Sequence, residues 1–84
     1  MNISTRSVEL LKTHLHLLSS DKQPLARYVS DNWPLSARLP QGVAARAELV
    51  YRFRVDSLAA AERVARELFL EVAGLARQHM RHEA

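Results

Sequence analysis

Cysteine is absent from the 84 residues, which excludes disulfides, thiolate metal sites and thiol catalysis. Glycine occurs only at positions 42 and 74, so a glycine-rich phosphate cradle is hard to build. No apolar run approaches the length of a membrane span. Near the N-terminus the leucines are interrupted by Lys12, His14 and His16, so a secretory signal is not expected. Glu9 favours a structural helix over a transit peptide there, and a cytoplasmic location is the expectation. What the chain does contain, 48 % hydrophobic and 25 % charged residues, is the composition of a folded domain, not a disordered one. Its length allows one small domain whose core is marginal unless another chain helps to cover it.

The formal charge is +3, with ten arginines and two lysines. Residues 35–56 hold the densest excess: Arg38, Arg46, Arg52 and Arg54 against Glu48 and Asp56. Such a balance suits an acidic partner but falls short of a dedicated nucleic-acid arm.

Residues 43–80 organise the chain, with one change of period at Asp56 and Ser57. Up to that point the odd positions Val43, Ala45, Ala47, Leu49, Tyr51, Phe53 and Val55 are all apolar, and most of the even ones are charged. A period of two predicts a half-buried strand. Beyond it, Leu58, Ala61, Ala65, Leu68, Val72 and Leu75 recur at steps of three and four, which predicts an amphipathic helix to about Met80, capped by Asp56 or Ser57. Upstream, Ser4, Thr5 or Ser7 can cap a first helix reaching about Leu18, with His14 among the leucines of its apolar half. Pro24 opens a short second helix to about Ser30. Trp33, Leu35, Ala37 and Leu39 then alternate with polar residues and prolines, an edge-strand pattern. Pro40-Gln41-Gly42 is a turn signal, so residues 35–39 are expected to pair with 43–47 in a hairpin.

The fold expected is therefore α+β: helix, short helix, β-hairpin and long C-terminal helix. The second strand outruns its partner, leaving Leu49, Tyr51, Phe53 and Val55 as a sheet edge. A homodimer that completes the sheet across a two-fold axis follows from that mismatch. The competing arrangement is all-α, with one long helix from about Val43, because 44–49 is rich in helix formers.

Four groups of residues invite functional readings. Arg38, Arg46, Arg52 and Arg54 would share one strand face, which could enter a nucleic-acid groove, though Val50 interrupts the row. Tyr51 and Phe53 would fall on the opposite face, away from those bases, which weakens a stacking platform. On the last helix Leu70 stands on the charged side among Arg63, Arg66 and Arg77, with Gly74 one turn away, a knob beside a notch that suggests a partner surface. His14 could be a buried ionisable group. His79 and His82 share a helix face beside Glu83, but no third ligand is placed, so no metal site is expected. No cofactor is expected either. Without a nucleophile–base order or a paired-carboxylate motif, the chain reads as a non-enzymatic interaction or regulatory module that binds itself or another protein. A nucleic-acid binder and a small-ligand or enzymatic domain around His14 are the alternatives.

Residues 8–33, VELLKTHLHLLSSDKQPLARYVSDNW, resemble the opening helices of the NTF2-like, ketosteroid-isomerase-like family. The resemblance covers under a third of the chain and contains no catalytic motif. That fold is a cone of long curved strands, for which this chain is too short and too poor in strands, so no activity or pocket is carried over.

Overall fold

A computed structural model describes residues 4–35, 39, 40 and 42–83. These form four helices, with no strand among them: α1 (Thr5–His14), α2 (Gln23–Asn32), α3 (Val43–Phe53) and α4 (Leu58–Glu83). The domain is all-α, so the α+β expectation fails and with it the hairpin. Segment 43–53 is helical because Ala44, Ala45, Arg46, Ala47, Glu48 and Leu49 are strong helix formers. A helix also satisfies its backbone locally, whereas a strand would depend on a neighbour flanked by Pro34 and Pro40.

The unpaired edge at 49–55 disappears for the same reason. Helical N–H and C=O groups are already bonded, so the expected dimer loses the ladder that motivated it. The all-α alternative is right about the start at Val43 but not about a single helix. Arg54 turns into the left-handed region (φ 54, ψ 40) and the N–H of Val55 bonds the carbonyl of Leu49 at 3.4 Å. Ser57 then starts α4, its hydroxyl accepting from the N–H of Ala60 at 3.2 Å.

The other helices follow local chemistry. Ser4 caps α1, its hydroxyl accepting from the Ser7 N–H at 3.2 Å. α1 ends at His14 and a single 3-10 turn, Leu15–Leu17, carries the chain on. Gln23 ties this turn to α2 by donating its side-chain amide to the Leu18 carbonyl at 2.9 Å. Pro24 occupies the first turn of α2, where its missing N–H has no role.

α4 packs on α1 and α2, which also pack on each other. Its inward stripe is Ala61, Ala65, Leu68, Val72 and Ala76, at the spacing of one helix face. Across from it sit Leu11 of α1, Leu25, Ala26 and Val29 of α2, and Leu18 and Leu35. The alanines at 61 and 65 leave room for these larger side chains. α3 joins this core only at its end, through buried Leu49, half-buried Phe53 and the following Val55.

Candidate protein-interaction face

α3 contains one buried residue, Leu49. At 100° per residue Leu49 and Phe53 point to one side, while Val43, Ala47, Val50 and Tyr51 form a second apolar face more than a quarter-turn away. That second face is open to solvent: Val43 is 86 % exposed, Val50 40 % and Tyr51 87 %. A groove of about 790 Å³ runs along it. One wall is α3, with Val43, Arg46, Ala47, Val50 and Tyr51; the other is Leu39 and Pro40 with Ser57 and Leu58 from the start of α4. Among the described residues Arg46 is the only charged one in this lining, and it joins no ion pair with any of them. An 11-residue helix is shorter than one that holds together alone in water, so α3 owes its stability to its contacts with the core at its C-terminal end.

The expected sheet-edge residues therefore part company. Leu49 and Val55 are core, Phe53 is half-buried against it, and Tyr51 faces solvent. The expected arginine row is also dispersed. Arg46 and Arg52 stand about 120° apart on α3, Arg54 occupies the left-handed position, and Arg38 lies outside the described residues. Arg52 is engaged with Glu48 at 3.5 Å. A strand face bearing four arginines does not exist.

On α4, Leu70 is 63 % exposed, and a Cβ added at Gly74 would meet nothing within 4 Å. Arg63, Arg66 and Arg77 are exposed on the same side. Neither Arg63–Glu67 nor Glu62–Arg66, both spaced for helical pairing, forms an ion pair.

His14 is the last residue of α1 and half-buried, not enclosed; its ring lies 6.3 Å from that of His16. Among the described residues no three His, Asp or Glu side chains group to hold a metal ion. His79 is exposed, and the side chain of His82 lies outside the described part. A smaller recess of about 250 Å³ holds Lys22, Glu67 and Glu71. There Lys22 donates to Glu71 Oε1 at 2.7 Å, and this bond raises the lysine's pKa against the opposing effect of desolvation. It is a clamp between the start of α2 and α4, with both side chains about two-fifths exposed.

No protein-family model matches the chain, and neither does any curated protein or solved structure. The resemblance over 8–33 thus brings no family assignment. Among the described residues no helix is long and apolar enough to cross a membrane.

The groove was missed in the sequence, although one signal was present. Val50 is an apolar residue at an even position, where a half-buried strand would carry a polar one. With Val43 and Ala47 it completes a helical i, i+4, i+7 set.

Proposed function

We propose that this chain is a non-enzymatic protein-interaction module, acting in the cytoplasm, whose contact surface is the open face of α3 and the groove beside it. The carrying observation is that Val43 and Tyr51 stand almost fully exposed on a helix with one buried residue. Scattered exposed apolar residues are ordinary, but a contiguous set lining a groove is the usual mark of a binding surface. Aromatic anchors such as Tyr51 are enriched in the energetic centres of interfaces. The test is affinity capture from the cell of origin with the wild-type chain and with Tyr51→Glu, both checked for equal helicity. A protein retained by the wild type and lost by Tyr51→Glu supports the proposal. Identical retention by both refutes it.

A further inference from the structure

We infer that the occupant of the α3 groove is an amphipathic α-helix of another protein with acidic residues flanking its apolar stripe, an inference that rests on the reading of α3 as the contact surface. An extended peptide brings unpaired N–H and C=O groups, which a groove must satisfy or leave at a cost. The described residues contain no strand edge to extend, and apart from Arg46, Ser57 and the Tyr51 hydroxyl the described side chains lining the groove are apolar. A helix brings its backbone already bonded, and so fits an apolar groove as an extended strand does not. The 11 residues of α3 span about 16 Å, enough to lie against three turns of such a helix.

Among the described residues Arg46 is the lone charge in the lining, and it is unpaired there. A carboxylate at the edge of the incoming stripe meets it, and a basic flank is repelled.

A second copy of this chain suits the groove less well than an acidic helix does. Its exposed apolar side chains lie on basic faces: Val43 and Val50 next to Arg46, and Leu70 on a side of α4 where Arg63, Arg66 and Arg77 outnumber Glu67. The one carboxylate on α3, Glu48, is held by Arg52. An antiparallel two-fold pairing of α3 sets like flanks side by side, and so brings the two Arg46 guanidinium groups together. Such like-charge juxtaposition is a common device against a wrong partner.

The probe is a phage-displayed library of helical peptides, 16 residues long by design, randomised and selected against the whole wild-type chain. The expected result is enrichment of amphipathic sequences with net negative charge. Binding of a selected peptide, read by fluorescence anisotropy, should be lost with Tyr51→Glu and weakened about tenfold with Arg46→Glu. Val50→Asp serves as a second face variant should either of these lose helicity. Selected helices that are neutral or basic, yet still lost with Tyr51→Glu, overturn the inference and leave the α3 surface standing. So does a wild-type dimer in light scattering that Tyr51→Glu converts to monomer. No enrichment at all, or enrichment indifferent to Tyr51→Glu and Val50→Asp, overturns both.

Discussion

Leu49 and Tyr51 provide a direct test of the architecture, because a strand puts them on one face and a helix separates them. In the structure Leu49 is 6 % exposed and Tyr51 87 %. Leu49→Ala removes three buried carbons, at about 0.8 kcal/mol each for transfer alone. Leu49 sits where α3 meets the core at one end only, so the cavity left behind can partly collapse and adds little. The expected loss is about 2–3 kcal/mol, a large share of the roughly 4–12 kcal/mol that a domain of this size possesses. Tyr51→Ala removes a larger side chain but one already in water, and should stay within about 0.5 kcal/mol. Both are read from urea unfolding followed by far-ultraviolet circular dichroism, with the slope checked to be unchanged. Equal losses for the two substitutions would refute the helix, since they would show the two side chains sharing one buried face.

Three further measurements probe the frame that carries α3. Gly74→Ala should stabilise the chain by about 0.5–1 kcal/mol, because a Cβ there meets nothing and alanine is the better helix former; a destabilised variant in thermal unfolding would mean that the glycine is packed. Ser57→Ala removes the hydroxyl that caps α4 and should cost about 1 kcal/mol in the same assay, whereas a cost near zero would place the helix start elsewhere. The Lys22–Glu71 clamp has both side chains about two-fifths exposed, so a double-mutant cycle should return no more than about 0.5–1 kcal/mol. Its pH dependence has a definite sign. The lysine's pKa is raised in the folded chain, so the contribution is complete below the unfolded lysine value of about 10.4 and is lost as pH rises through the higher folded value. Asp21 behaves in the opposite sense: its hydrogen bond to Ser19 lowers the carboxyl pKa, so that contribution is lost only as pH falls below the usual carboxylate range. Stability that climbs between neutral pH and strong alkali in the wild type, but not in Lys22→Met, would contradict the first assignment.

Much of the bundle was legible in the sequence because its signals are local. Ser4, Pro24 and Ser57 mark helix starts by their own hydrogen-bonding chemistry. The stripe Ala61, Ala65, Leu68 and Val72 states its own inward face. The α1 half-wheel was less faithful: of its leucines up to position 18, only Leu11 and Leu18 are buried, since the helix breaks at His14 into a tighter turn that swings the following residues. His14 was placed among leucines by a helical wheel run on to Leu18, but the helix ends at His14 itself, and the residue is half-buried and not enclosed.

The failure at 43–55 has a specific physical source. Hydrophobic periodicity reports where apolar side chains are covered, and it assumes that one chain does the covering. α3 carries two apolar faces, Leu49 with Phe53 turned to the core, and Val43, Ala47, Val50 and Tyr51 turned to the groove. Superimposed on one short segment, two helical stripes roughly a third of a turn apart produce apolar residues at nearly every odd position, which imitates a strand. A single-faced helix would have shown its period plainly, as α4 does. Under the proposal made here the imitation has a cause: the second stripe is not this chain's own core pattern, but the half of an interface that a foreign helix completes. The same geometry constrains any partner found by selection or capture. Its contacting segment should show the ordinary three-and-four spacing of a single apolar stripe, because it supplies one face where α3 supplies two.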